Sequence, residues 1–144
     1  MTEELTKEYL QELGFIKVYN WFGKWQIYRY WYNSGGKNKE IKLINIRNAK
    51  CRHKFTHDKY YPIISFSIGC SQNKSITLSK FLYAWFKGKV PAGYDVDHID
   101  NDPFNNDLDN LQLLTRKENI AKRLVDNPQS WINQYGQKKK ENNE

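Results

Sequence analysis

The stretch from Tyr94 to Asn119 constrains this chain most, because it concentrates acidic and asparagine side chains in an otherwise basic protein. Six of the chain's sixteen acidic residues lie between Tyr94 and Thr115, and no Lys or Arg occurs there. The whole chain has a formal net charge of +7 at pH 7. A cluster of oxygen ligands within a basic protein indicates a site for a divalent metal ion that faces a polyanion.

The same stretch predicts a strand, a long turn, a second strand and a helix. Apolar residues within 96–99 and 111–114 indicate the two strands. The asparagines and aspartates between them favour turns, because their side chains bond to the local backbone and tolerate left-handed geometry. Thr115 and Glu118 form a capping box, which predicts a helix from Arg116 to about residue 124.

Asp97 and His98 are adjacent near the end of the first predicted strand. Neighbouring side chains on a strand point to opposite faces, but at a strand end or bulge both can border one site. Asp97 offers a hard carboxylate oxygen, and His98 offers an imidazole that titrates near neutrality. Asn119 lies in the first turn of the predicted helix, where it can lean back towards the first strand.

Residues 97–119 follow the pattern D-H-I-D-x4-N-N-x3-N-L-x3-T-x3-N. This pattern closely resembles that of the HNH endonucleases of phages and mobile introns, which share the ββα-metal fold. The resemblance extends from Leu78 to about residue 124, and its first part resembles the helix and linker that precede the motif in those enzymes.

The resemblance implies a role for each matching residue. Asp97 matches the first metal ligand, and His98 matches the general base. Asn110 matches the middle asparagine, which holds the turn and helps to orient the histidine. Asn119 matches a second metal ligand, through its amide oxygen, and Asn105 matches the asparagine that stitches the long loop. The implied catalytic set is therefore Asp97, His98, Asn110 and Asn119.

Three positions depart from the commonest form of the family pattern. Asn119 stands where many relatives have a histidine, and Ser79 stands where many have a histidine that does no chemistry. Asn101 stands where glycine is common. Asparagine tolerates a positive φ better than most residues, so we expect Asn101 to be accommodated.

The chemistry of phosphodiester hydrolysis fits these roles. A neutral His98 can take a proton from water, which typically contributes ~10²–10⁴-fold to the rate. A Mg²⁺ or Mn²⁺ ion held by Asp97 and Asn119 can bind the phosphate and stabilise the leaving 3′ oxygen. Two protein oxygens suit Mg²⁺, which usually keeps several waters. We expect activity to rise through about pH 6–7, where an unperturbed imidazole loses its proton.

Basic residues outside the motif predict contacts with nucleic acid. Residues 47–59 are interpreted as a basic loop, which either contacts phosphate or is simply solvated. Several cations also follow Thr115 on the predicted helix. The predicted DNA-binding residues are Lys50, Arg52, Lys54, Arg116, Lys117, Lys122 and Arg123.

The rest of the chain predicts an α+β fold, in which antiparallel hairpins and a flanking helix precede the ββα module. A helix capped by Thr2 is expected over residues 2–13. Strands are expected over 16–19, 24–32 and 41–46, with a hairpin between the last two. A second hairpin over 60–76 and an amphipathic helix over 78–86 follow.

The aromatic strand over 24–32 has two interpretations. Alternation places Trp25, Ile27 and Trp31 on one face, which favours burial in the core. The alternative is a platform on which nucleic-acid bases stack.

These patterns divide the chain into a DNA-docking region at 1–77, a catalytic module at 78–124 and a short helix with a polar tail at 125–144. The sequence contains no apolar run of about eighteen residues, so no membrane span is expected, and the N-terminus does not resemble a signal peptide. Reduced cysteines in the cytoplasm are therefore expected. A zinc site from Cys51, His53, His57 and Cys70 is a weaker hypothesis, because its spacing departs from common fingers.

The function predicted from the sequence is a metal-dependent endonuclease that cuts double-stranded DNA. It would act as a monomer or homodimer in the cytoplasm of a bacterial or phage-infected cell, and a homing role is compatible with this chemistry. One alternative is a binding module of the same fold that has lost cleavage. The other is a protein that binds single strands or RNA through the aromatics of residues 25–32.

Overall fold

The computed structural model describes residues 4–32, 39–50, 60–69 and 71–126. Within these ranges the chain forms helices and antiparallel strands, which confirms the predicted α+β class. The elements before the motif are α1 (Lys7–Glu12), β1 (Phe15–Trp21), β2 (Lys24–Tyr32), β3 (Lys39–Leu43), β4 (Ile46–Lys50), β5 (Tyr60–Gly69), β6 (Gln72–Thr77) and α2 (Leu78–Leu82). A π-helical turn (Tyr83–Lys87) then leads to β7 (Tyr94–His98), a 3₁₀ turn (Leu108–Asn110), β8 (Leu111–Thr115) and α3 (Arg116–Asp126).

The strands form three antiparallel sheets in the described ranges: β1-β2-β3, β4-β5-β6 and the hairpin β7-β8. Both predicted N-terminal hairpins are present. β2 pairs with β3, and β5 pairs with β6 through a turn shorter than expected. Gly88 follows α2 and the π-helical turn with a φ of 137°, which fits the predicted helix stop there.

The first helix begins later than the sequence predicted. Thr6, not Thr2, caps α1, and its side chain accepts a hydrogen bond from the Tyr9 backbone N–H at 3.1 Å. Leu5 cannot join the helix because its backbone is paired with that of Val90, through hydrogen bonds of 2.9 and 2.8 Å. Both side chains are buried, so a contact between distant parts of the chain overrides local helix propensity.

The predicted strand at 41–46 and basic loop at 47–59 are also wrong in their boundaries. β3 ends at Leu43 and β4 begins at Ile46, so Arg47 and Lys50 lie on a strand. β4 pairs along its length with β5, and this long-range pairing extends the sheet into a segment that the sequence predicted as a loop. Residues 51–59, with Arg52 and Lys54, lie outside the described ranges, as do all four residues of the hypothetical zinc site and the C-terminal tail.

One hydrophobic cluster joins α1, the two larger sheets, α2 and β8. Ile27 is fully buried and Trp25 packs against the cluster, as the core interpretation predicts, whereas Trp31 at the other end of β2 is 43% exposed. The cluster continues through Phe81 and Leu82 to Leu111 at the start of β8. The candidate site is therefore attached to the same core that supports the N-terminal sheets.

Candidate active site

The Asp97–His98 pair lies at the end of β7, in a hairpin that is followed directly by a helix. β7 pairs with β8 so that Asp97 is opposite Gln112 and His98 is opposite Leu111. The predicted capping box is present, since the Glu118 N–H bonds to the Thr115 hydroxyl at 3.2 Å and the Thr115 N–H bonds to Glu118 at 3.4 Å. Strand, turn, strand and helix thus follow the predicted order.

The long turn between the strands is held by a network centred on Asp100. The Asp100 carboxylate accepts hydrogen bonds from the amides of Asn105 at 2.7 Å and Asn110 at 2.9 Å. The Asp100 N–H in turn donates to the Asn110 amide oxygen at 3.1 Å. Asn110 also donates to the Asn105 carbonyl at 2.8 Å. The structure therefore places Asn105 and Asn110 together as cross-links of the turn.

The same network makes Asp100 an unusually acidic carboxyl group. Hydrogen bonds from Asn105, from the Asp102 backbone and from Asn110 lower the pKa of Asp100 from 3.8 to about 2. These donors stabilise the charged form selectively. The next residue, Asn101, has a φ of 65°. An asparagine is therefore accommodated in left-handed geometry at the position where glycine is common in the family pattern.

The imidazole of His98 is held by Asn106. His98 Nε2 lies 2.8 Å from Asn106 Oδ1, and Asn106 Nδ2 donates to the Pro103 carbonyl at 3.1 Å. Reversing the Asn106 amide would set two oxygens against each other at Pro103, so Oδ1 is the atom that faces the imidazole. Nε2 is then the donor, and the neutral imidazole offers Nδ1 as its basic nitrogen.

Asn106 is itself anchored to the N-terminal sheet. Its side chain is buried, and its backbone carbonyl accepts a hydrogen bond from the indole N–H of Trp25 on β2, at 3.1 Å. The Trp25 ring also contacts Phe86, with centroids 5.5 Å apart. The residue that orients His98 is thus fixed by a strand 81 positions away in sequence.

The carboxylate of Asp97 is bound on one oxygen. Gln112 Nε2 donates to Asp97 Oδ2 at 2.9 Å, and Lys122 Nζ on α3 lies 3.2 Å from the same oxygen. Lys122 also donates to the His98 carbonyl at 3.3 Å and to the Asn101 side chain. Lys122 therefore ties the helix to both strand and turn, in addition to its predicted role as a DNA contact.

Asn119 lies one turn before Lys122 on α3 and lines a cleft with His98. The cleft has a volume of about 430 Å³ and lies between the hairpin β7-β8 and the sheet β4-β5-β6. The amide of Asn119 makes no hydrogen bond to any residue within the described ranges. The structure thus brings His98 and Asn119 into one cleft. Asp97 precedes His98 on β7 and is bound to Lys122, one turn after Asn119 on α3, while Asn105 and Asn110 lie in the turn.

The candidate oxygen ligands, from Asp97 and Asn119, suit a hard divalent ion that keeps most of its water ligands. The described contacts of Asp97 use Oδ2 only, so Oδ1 is available as a metal ligand. The amide oxygen of Asn119 is the second candidate ligand. Within the part of the chain that the structure describes, no cluster of three or more His, Cys, Asp or Glu side chains could hold a metal. A small set of oxygen ligands is the kind of site in which Mg²⁺ is usually held.

The remaining predicted DNA contacts are spread over two elements. Arg116 and Lys117 are exposed on the first turn of α3, and Lys50 is exposed on β4. Arg123 is half-buried, and its Nε is buried without a hydrogen-bond partner among the described residues. Exposed Arg116 and Lys117 sit at one end of the helix that carries Asn119.

Sequence reasoning missed Asn106, Asp100 and Gln112 as parts of the site. Asn106 stands beside Asn105 in the motif, and Asp100 is the second acidic residue of D-H-I-D, so motif spacing could have drawn attention to both. Gln112 carries no comparable sequence signal, because only the register of β7 with β8 places it against Asp97.

The hairpin with Asp97 and His98, the cross-linked turn and the capped helix with Asn119 form a ββα arrangement. Residues 82–121 match the family model described as HNH endonuclease, which confirms the predicted resemblance for this part of the chain. The match begins at the end of α2 and ends within α3.

A phage protein is similar to a short segment of this chain. Protein 3.8 of Escherichia phage T7 is 56% identical to this chain over 32 residues, which are 22% of this chain and 26% of the phage protein. The chain thus spans about a quarter of the length of this curated relative. No solved structure is significantly similar to the chain. Of the helices in the described ranges, none has the length and apolarity needed to cross a lipid bilayer.

Proposed function

We propose that this chain is a divalent-metal-dependent DNA endonuclease that hydrolyses phosphodiester bonds, with His98 as the general base. The observation that carries the proposal is the shared cleft of His98 and Asn119, next to Asp97, in a segment that matches the HNH endonuclease model. A basic chain with this site is suited to a polyanionic substrate.

His98 acts by removing a proton from the attacking water. The hydrogen bond from Nε2 to Asn106 fixes the ring and leaves Nδ1 to accept that proton. As the imidazole becomes positively charged, the Asn106 oxygen stabilises the cation through the same hydrogen bond. A correctly placed base of this kind contributes typically ~10²–10⁴-fold to the rate.

Asp97 and Asn119 would hold a Mg²⁺ or Mn²⁺ ion, which when bound neutralises charge on the phosphate and on the departing 3′ oxygen. Gln112 orients the Asp97 carboxylate from the opposite strand. Lys122 keeps α3, and with it Asn119, against β7. Asn105 and Asn110 maintain the turn that carries Asn106, so we assign them supporting roles.

The proposed substrate is double-stranded DNA, cut by a monomer or homodimer. The phage relative supports placing the chain in the cytoplasm of a phage-infected bacterial cell. A homing role is compatible with this proposal, as is any other process that needs a DNA break.

The test is cleavage of supercoiled plasmid with Mg²⁺ or Mn²⁺, with and without chelator. Metal-dependent nicking or linearisation is expected, and His98→Ala should reduce the rate by at least about 10²-fold because the base is lost. Asp97→Asn should do the same and should also weaken Mn²⁺ binding measured by titration. Asp109→Asn, on the 3₁₀ turn of the same loop, is the matched control and should cleave like the parent chain.

The outcomes separate this proposal from its two rivals. Absence of scission with either metal on plasmid and phage genomic DNA, with DNA binding intact, would support the inactive binding module. Preferential binding of single strands that is lost in Trp31→Ala and unaffected by His98→Ala would support the single-strand-binding protein. The feature that favours this second alternative is the exposed ring of Trp31, whose centroid lies 5.3 Å from the Lys42 ammonium.

A further inference from the structure

A second cleft adjoins the one that contains His98. It has a volume of about 470 Å³ and extends over β4, β5 and β6. The two clefts share four lining residues, Tyr61, Ser75, Ile76 and Thr77. The surface is therefore continuous from His98 and Asn119 to β4, the edge strand of the sheet β4-β5-β6.

The outward face of this sheet carries a row of hydrogen-bond donors. Strand register places Arg47 opposite Ile63, and places Ser65 opposite Ser75, so that Arg47 and both serines share one face. Arg47 Nη2 donates to the Ser65 hydroxyl at 3.3 Å, and the two serine hydroxyls lie 2.8 Å apart. Ile64, Phe66 and Ile76 point the other way into the core. The polar row is thus held on a rigid, buried support.

The charge of the two clefts is mainly positive. Arg47 and Lys50 line the second cleft and Lys80 lines the first, where Asp95 is the one carboxylate among the described lining residues. Arg47 and Lys50 are exposed, and neither forms an ion pair with a described acidic residue. Lys42 and Lys89 elsewhere on the surface, by contrast, pair with Glu40 and Glu4. The positive charge of Arg47 and Lys50 favours an anionic partner.

We propose that the outward face of β4-β5-β6, together with Lys50 at the end of β4, binds the phosphodiester backbone of duplex DNA on one side of the bond to be cut, and leads that strand to His98. Neighbouring strands of a sheet lie about 4.8 Å apart, so the three strands span roughly 10 Å, enough to contact two or three successive phosphates. Arg47 supplies a guanidinium that can bind phosphate oxygens in pairs, and the serine hydroxyls add neutral donors. This inference rests on the proposed function, because it takes the same nucleic acid as its partner.

The experiment measures binding of a fluorescent DNA duplex by anisotropy over a series of salt concentrations, in chelator so that no cleavage occurs. The variants are Arg47→Gln, Lys50→Gln and the double variant. Lys42→Gln removes the same charge from an exposed, paired lysine on β3 and serves as the control. Circular dichroism confirms that each variant is folded.

Each single variant is expected to weaken binding roughly three- to tenfold at low salt and to reduce the slope of log affinity against log salt by about 1. Lys42→Gln should leave both quantities unchanged. Binding of Arg47→Gln and Lys50→Gln equal to that of the parent chain would overturn the inference. An equal loss in Lys42→Gln would also overturn it, because the effect would then be one of net charge alone.

Two further results distinguish this inference from the proposed nuclease function. If Arg47→Gln weakens DNA binding but the parent chain never cleaves plasmid, the proposed binding face is supported and the proposed nuclease function is contradicted. If Arg47→Gln and the parent chain cleave plasmid equally well, at matched low concentration and raised salt, the proposed binding face is contradicted. The proposed nuclease function is then unaffected. Tighter binding of single-stranded RNA than of duplex DNA, with the same dependence on Arg47, would overturn the assignment of duplex DNA as partner.

Discussion

Asn106 illustrates how one buried amide can set the chemistry of a neighbouring side chain. Its Nδ2 is committed to the Pro103 carbonyl, so its oxygen faces His98 and fixes which imidazole nitrogen carries the hydrogen. An imidazole without such a partner would exchange between tautomers and orientations. Correct placement of a reacting group is worth a large part of its catalytic effect.

We expect Asn106→Ala to lower kcat by up to roughly 10²-fold while leaving DNA affinity unchanged, because the base is present but no longer oriented. Steady-state plasmid or oligonucleotide cleavage separates kcat from KM, and anisotropy reports affinity. Asn45→Ala, at an exposed asparagine on the connection between β3 and β4, is the control. A change confined to KM would contradict the role assigned to Asn106.

The loop between β7 and β8 acts as an element in its own right, although it contains little regular structure. The Asp100 carboxylate accepts hydrogen bonds from the amides of Asn105, in the middle of the loop, and Asn110, at its far end, and from the Asp102 N–H at 2.9 Å. These bonds replace the backbone pairing that a strand or helix would provide. The position of Asn106, and so of His98, depends on this loop keeping its shape.

The lowered pKa of Asp100 predicts how the loop responds to acid. Because the folded-state pKa of about 2 lies below the ordinary value of 3.8, the carboxylate contributes stability above about pH 4, and that contribution is lost as the pH falls towards 2. The difference in unfolding free energy between the parent chain and Asp100→Asn should therefore be largest above about pH 4 and shrink as the pH falls.

Urea unfolding of both chains at several pH values between about 2 and 6 measures this difference. Asp109→Asn, at a loop aspartate outside the network, should show no such dependence. A constant gap between parent and Asp100→Asn across the series would show that the charge of Asp100 does not stabilise the loop.

Arg29 links the two larger sheets and is central to the molecule as a whole. From β2 its guanidinium donates to the Leu13 carbonyl at 2.8 Å and to the Ser67 carbonyl on β5 at 2.9 Å. It also lies near the rings of Phe15 and Phe66, at 5.6 and 5.0 Å from their centroids. Burial lowers the pKa of Arg29, yet an arginine stays charged far above neutrality.

We expect Arg29→Met to lower the free energy of unfolding by roughly 2 kcal/mol, since two carbonyls lose a charged donor while the apolar volume is largely kept. Lys42→Met, at the exposed residue paired with Arg29 across β2 and β3, should change it by less than about 1 kcal/mol. Chemical denaturation of the two variants measures both values. Equal stability of Arg29→Met and Lys42→Met would show that packing alone joins the sheets.

Features that depend on neighbouring residues could be predicted from the sequence. The capping box at Thr115 and Glu118, the hairpin of β2 with β3, the positive φ of Asn101 and the order of the ββα module all follow from side chains within a few residues of one another. Motif spacing also predicted that Asn119 leans back towards β7, and Asn119 and His98 line the same cleft.

The long-range partners of these side chains depend on how the whole chain packs. Leu5 pairs with Val90, β4 extends to Lys50 on the edge of β5, and Trp25 fixes Asn106 against His98. In each case the partners are far apart in sequence, and the contact forms because burying their apolar surroundings in one core brings the backbones together. Such contacts leave no periodic pattern in the chain, since their geometry is set by packing and not by spacing.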